Sequence, residues 1–158
     1  PTAQVLLSDL DHAALSLASE NSQIHAIDGI VRGDLLSWCQ ALCVDIIIAN
    51  PPYVDARDMQ GLPAEYHHEP GLALSGGDDG LDLVRVLLLD AARILRPTGL
   101  LILEVGNSFE ALEELSEQLH PIWVELEQGG HGVAVFMAQD LAQWAASEDI
   151  ANPVVSGK

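Results

Sequence analysis

Residues 44–53 read Val-Asp-Ile-Ile-Ile-Ala-Asn-Pro-Pro-Tyr. The β-branched run from Val44 to Ala49 predicts a strand, and the prolines bound it. Asn50 to Tyr53 then form a loop at that strand's C-terminal end. Pro51 and Pro52 fix φ and contribute no N–H, and Pro51 pushes Asn50 out of the helical region. The result is a stiff loop presenting two acceptors, the Asn50 side-chain oxygen and the Pro51 carbonyl. Two acceptors held this way grip the two N–H bonds of one planar NH2 group. Tyr53 is placed to cover the flat face of the group that carries it. Such a loop suits methyl transfer to an sp2 nitrogen, in an amide or in an exocyclic base amine. The plainer reading is that Asn-Pro and Pro-Pro merely punctuate a turn after a strand. The strand before and the residues after decide between the two.

Upstream, Gln4 to Ser8 reads as a short buried strand ending at Asp9, and Asp11 is placed to cap a helix from His12 to Asn21. Ile27 to Arg32 is a second, weaker strand ending near Gly33-Asp34, and Leu35 to Ala41 is a short helix or irregular. Downstream, residues 55–79 are loop-like, with Pro63, Pro70, Gly71, Gly76 and Gly77; a loop of that length inside a compact domain is often functional. Leu81 to Leu95 is the strongest helix, stopped by Pro97 and Gly99. Leu100 to Val105 is a continuous apolar strand, and Phe109 to Leu119 alternates Leu and Glu at helical spacing. Ile122 to Glu127 and Val133 to Ala138 flank Gly129-Gly130-His131-Gly132, an antiparallel hairpin with a glycine turn. Gln139 to Ser147 is a last helix, and the tail from Glu148 frays.

Strand and helix alternate and the chain closes on a hairpin. The pattern predicts an α/β fold with a mostly parallel sheet and one antiparallel edge. In such sheets the ligand sits beyond the strand C-termini. Asp9, Asp34, Asn50 and Glu104 all fall there.

With 158 residues the chain is one domain by length, 49% hydrophobic and globular in composition. Six basic residues against twenty-four acidic ones give a net charge of −18. That balance argues against a direct grip on nucleic-acid phosphates, which needs clustered Lys and Arg. It favours approach to a basic protein, or serves general solubility. No stretch approaches the length of an apolar membrane span, and no signal peptide is visible. Cys39 and Cys43 have neither zinc-ribbon nor redox spacing and read as buried thiols in a reducing cytoplasm. No metal site is expected: His67, His68 and Glu69 are consecutive and point different ways in extended chain.

The run from Asn50 through EYHHEPGLALSGGDDGLDLVR to Arg85, with EVGNS at 104–108 and GGHGVAVF at 129–136, resembles the bacterial protein-(glutamine) methyltransferases. Within them it looks like the branch that acts on ribosomal protein L-three of the large subunit rather than the release-factor branch. The resemblance covers Gln4 to about Leu141. It implies a Rossmann-like, S-adenosylmethionine-dependent methyltransferase fold in the cytoplasm, acting on a glutamine side-chain amide of a basic ribosomal protein. Carried over by position, Asp9 resembles the acidic residue that accepts from the ribose hydroxyls of S-adenosyl-L-methionine, although it also reads as a helix cap. Asp34 resembles the residue that accepts from the adenine amine, with Leu35 beside the ring; it also reads as a plain turn aspartate. Asn50, Pro51, Pro52 and Tyr53 form the catalytic loop. Glu69, Pro70 and Gly76 to Gly80 resemble the substrate-side loop, or else form a flexible surface loop. His67 stands where Arg is expected and His131 where Asp is expected.

The family's first strand and its glycine-rich turn, which wraps the methionine part of the cofactor, are not in this sequence. The expected organisation is therefore residues 1–147 as the C-terminal portion of a catalytic domain and 148–158 as a tail. Poor cofactor binding and no activity are expected for this chain alone, with bare strand edges that invite a homo-oligomer or strand swap. Three other readings stay open: an adenine-N6 nucleic-acid methyltransferase, a release-factor glutamine methyltransferase, and a non-catalytic truncated piece.

Overall fold

The computed structural model describes residues 3–22, 24–25, 27–52, 81–115, 119–126 and 132–151. The chain divides into two compact units, Pro1–Gln40 and Ala41–Lys158.

In the first unit, β1 (Leu6–Asp9) and β2 (Gly29–Arg32) are joined by helix α1 (His12–Ser22). The strands pair in parallel, with Leu6 opposite Gly29 and Asp9 opposite Arg32. A parallel pair needs a crossover, and α1 supplies it. Asp11 caps that helix as expected: its Oδ1 accepts the Ala13 and Ala14 N–H groups at 2.7 and 2.8 Å. Both strands begin two residues later than the apolar runs suggest. Val5 is spent otherwise, donating its N–H to Asp28 Oδ2 at 2.7 Å while its carbonyl accepts from Asp28 and Gly29. Residues 35–38 form turns rather than a helix.

The second unit holds β3 (Val44–Ala49), α2 (Asp82–Ile94), β4 (Leu95–Glu104), a 3-10 turn (Gly106–Ser108), α3 (Phe109–Leu115), β5 (Ile122–Trp123), β6 (Val133–Met137) and α4 (Ala138–Ala151). Its sheet runs β3-β4-β6-β5. The β3–β4 pair is parallel, and β6 lies antiparallel to both β4 and β5. The α/β alternation and closing hairpin are therefore as the sequence implies, but the antiparallel strand β6 lies inside this sheet, between β4 and β5, and not at its edge as expected. Side chains alternate across this sheet. Ile47, Leu101, Leu103, Ala134 and Phe136 are buried on one face, where α2 and α4 pack and bury Val84, Leu88, Ala91 and Leu141. The opposite parity on β3 leaves Ile46 and Ile48 55% and 77% exposed.

Several boundaries differ from expectation. Strand β4 begins at Leu95, not Leu100, because Leu95 pairs with Val44 before the register shifts to Ile46 opposite Leu100. Pro97 is accommodated in that irregularity, where a strand tolerates proline, and Gly99 lies so close to the Asp45 carbonyl that a Cβ there would sit 2.8 Å away. Helix α4 runs to Ala151, past the expected Ser147. Cys39 is buried as expected, but Cys43 is exposed at the entry to β3. Among the described residues no helix is long and apolar enough to cross a membrane.

The start of β6 rests on a close backbone approach. Gly132 has φ of 87°, its carbonyl accepts the Val105 N–H at 2.8 Å, and an added Cβ would lie 2.5 Å from the Gly106 carbonyl oxygen. Backbone atoms cannot swing aside as a side-chain tip does, and a positive φ strains any L side chain. Gly132→Ala is expected to cost about 1–3 kcal/mol, read as a lower urea midpoint at unchanged slope.

Candidate active site

Asn50 comes directly after β3. Because Ala49 lies opposite Leu103, Asn50 and Glu104 leave adjacent parallel strands at the same end. The proline pair anchors the exit: Pro51 is buried and Pro52 half-buried, while Asn50 is exposed. A φ-locked, buried Pro51 gives the Asn50 side chain a fixed base from which to reach solvent. Glu104 is half-buried beside it.

In the first unit, Asp9 and Asp34 also come together at strand ends. The Gly33 N–H donates to the Asp9 carbonyl at 3.1 Å, so the turn carrying Asp34 is hooked onto the end of β1. Arg32 Nε donates to the Leu10 carbonyl at 3.1 Å and ties the same two segments. The Asp9 carboxylate accepts the Asp11 N–H at 2.7 Å through Oδ1. Helix capping itself falls to Asp11, and Asp9 is exposed. Asp34 opens a tight turn: its carbonyl accepts the Ser37 N–H at 3.1 Å and Ser37 Oγ at 2.8 Å. Leu35 is half-buried with φ of 45°, and the Trp38 indole N–H donates to its carbonyl at 3.1 Å. Exposed carboxylates can accept from hydroxyl and amine donors, and an aliphatic side chain beside them can pack against an apolar ring.

The structure thus brings Asp9 together with Asp34 and Leu35 in one unit, and Asn50, Pro51 and Pro52 together with Glu104 in the other. Tyr53, His67, His68, Glu69, Pro70, the glycines from Gly76 to Gly80 and His131 lie outside the described residues. Sequence reasoning missed Trp38, whose indole fixes the strained Leu35 turn; a Trp three residues after a Leu carries no signal that distinguishes it from a core residue. It also missed a cavity walled by Phe109 and Trp123.

No protein-family model matches the chain. Three curated proteins named ribosomal protein uL3 glutamine methyltransferase do. The one from Francisella tularensis is 39% identical over 145 residues, which is 90% of this chain and 46% of that protein. Those from Bordetella pertussis and Neisseria gonorrhoeae are 35% and 37% identical, over 89% of this chain and 48% and 47% of theirs. The chain is similar to these uL3 glutamine methyltransferases along most of its own length. It spans about half the length of those relatives. That similarity is to the branch of the family that the EYHHEP and EVGNS segments resemble. Two solved structures are more distantly alike: the PH0226 protein of Pyrococcus horikoshii, 16% identical over 92% of this chain and 61% of that one with a TM-score of 0.43, and a TehB-like SAM-dependent methyltransferase of Corynebacterium glutamicum, 19% identical over 85% and 67% with a TM-score of 0.47. At those scores neither bears on function.

Proposed function

We propose that this chain forms the methyl-acceptor side, and part of the cofactor side, of an S-adenosylmethionine-dependent methyltransferase that modifies a glutamine side-chain amide of ribosomal protein uL3. The observation that supports it most is the placement of Asn50 at the C-terminal end of β3 on a buried Pro51, in a chain 39% identical to a protein of that name. A ribosomal-protein substrate places the reaction in the cytoplasm, and the basic character of such a protein complements a net charge of −18. Among the described residues β3 lies at the edge of its sheet. That edge is where a further strand, from more of the protein or from a second copy, would add.

The cofactor supplies an electrophilic methyl group on a sulfonium sulfur. Everything else falls to the chain. A glutamine amide nitrogen is a weak nucleophile because its lone pair is delocalised into the carbonyl. Asn50 Oδ1 and the Pro51 carbonyl accept its two N–H bonds, raise electron density on nitrogen and fix its orientation, and Tyr53 covers the amide plane. With the cofactor bound, the nitrogen so held would accept the methyl group, the C–S electron pair would stay with sulfur, and the surplus amide proton would leave to water. Positioning and electrostatics account for the rate gain. Asp9, Asp34 and Leu35 would hold the ribose and adenine, and Glu69 and Pro70 would serve the substrate side.

Asp34→Asn is expected to weaken binding of S-adenosylhomocysteine about tenfold, because a charge-assisted acceptor for the adenine amine becomes a neutral one. Calorimetric titration of the protein extended upstream of Pro1 checks this. The function itself is tested by offering that protein labelled cofactor with uL3 and duplex DNA together. Label in uL3 supports the reading. Label in DNA transfers it to the adenine-N6 class.

A further inference from the structure

The second unit carries a cavity that the methyl transfer does not use. It measures about 430 Å3, and its described walls include the rings of Phe109 and Trp123, the carboxylates of Glu113 and Glu125, and apolar Val124 and Leu126. The two rings stand edge to face, with centroids 6.2 Å apart and planes at 89°. Both rings line the cavity, and the π face of an aromatic ring attracts cations, Trp most strongly. Glu113 and Glu125 add negative charge to the same mouth, and none of the described lining residues is basic. Among the described residues of this unit, the arginines Arg85, Arg93 and Arg96 each contact an aspartate, Asp82, Asp90 and Asp45, and none of the three lines the cavity. An acidic, aromatic cavity in a chain of net charge −18 is complementary to a cation from another molecule.

Its place in the sheet says which one. Ala49, Leu103, Ala134 and Trp123 lie opposite one another in a single row across β3, β4, β6 and β5. Asn50 adjoins the first of these and the cavity the last. Three strand spacings separate them, roughly 14 Å.

We propose that the Phe109–Trp123 corner, with Glu113 and Glu125, receives a lysine or arginine side chain of the protein substrate. That residue lies about four positions along an extended substrate segment from the methylated glutamine, since an extended chain advances about 3.3 Å per residue. The corner sets which glutamine is presented to Asn50. The assignment of the distance rests on the function proposed above; the cation preference does not.

The test titrates the 158-residue chain calorimetrically with a short synthetic peptide carrying a glutamine and, about four residues away, a lysine. The same peptide with norleucine for lysine is the comparison. Expected is about tenfold tighter binding of the lysine peptide. Glu113→Gln with Glu125→Gln removes that preference. Glu110→Gln with Glu114→Gln removes the same charge from α3 positions outside the cavity and keeps it. Equal affinities for the two peptides, tighter binding of the norleucine peptide, no binding of either, or equal loss in both double variants would each overturn the proposal. The last would assign binding to overall charge, and the second to an apolar occupant. The two readings separate cleanly. Absent lysine preference with methyl transfer to glutamine intact sinks the corner alone. Retained preference in a protein that does not methylate glutamine sinks the reaction and its distance rule but leaves the cation site.

Discussion

Asn50→Ala is expected to lower methyl transfer about 10²–10³-fold, the loss typical when one preorganised polar group facing the reacting atom is removed. The fall appears in kcat more than in KM, because Asn50 acts on the nitrogen as it becomes a nucleophile and contributes little to holding the rest of a protein substrate. Folding is spared, because Asn50 is exposed and its loss opens no cavity in the core. Asn50→Asp keeps an acceptor at the same reach and retains more activity than the alanine variant. Methyl incorporation by the protein extended upstream of Pro1, with a denaturation curve for each variant, checks both points. Activity undiminished in Asn50→Ala would remove the residue from the mechanism.

Phe136→Ala is expected to destabilise the second unit by about 3–5 kcal/mol, a large share of what a domain this size commands. Phe136 is 1% exposed on the central antiparallel strand β6, opposite Leu101 and under the face where α2 and α4 pack. Truncation leaves a cavity whose neighbours belong to a sheet and two helices, none of which shifts independently. Ile48→Ala is the matched control. Its side chain is 77% exposed on the other parity of β3, and removing it costs about 0.5 kcal/mol or less. A urea titration that gives similar losses for the two would contradict the assignment of the core to one face.

How far a contact reaches along the chain decides whether the sequence discloses it. Val44–Ala49 is legible because β-branched residues bounded by proline admit little but a strand, and both its ends fall where expected. Asp11 is legible as a cap because capping is decided within three residues. The start of β4 is not legible locally. Pro97 and Gly99 read as a stop, yet the strand passes through them because Leu95 pairs with Val44, far away in the chain. The late start of β1 and β2 has the same cause: the Val5–Asp28 bond is a contact between segments 23 residues apart. Of the site, Asp9, Asp34, Asn50 and the prolines are recognisable because loop chemistry at strand ends is local. The Trp38 hydrogen bond and the Phe109–Trp123 corner depend on how side chains meet after folding, and no spacing announces them.

The methyl acceptor proposed for this protein is a glutamine amide. The most direct measurement is peptide mapping by mass spectrometry of uL3 incubated with S-adenosylmethionine and the protein extended upstream of Pro1. The expected result is a gain of one methyl group, about 14 Da, on a glutamine side-chain nitrogen, absent with Asn50→Ala. A methyl group on lysine, arginine or a carboxylate, or none on uL3 from a folded protein that binds S-adenosylhomocysteine, would contradict it.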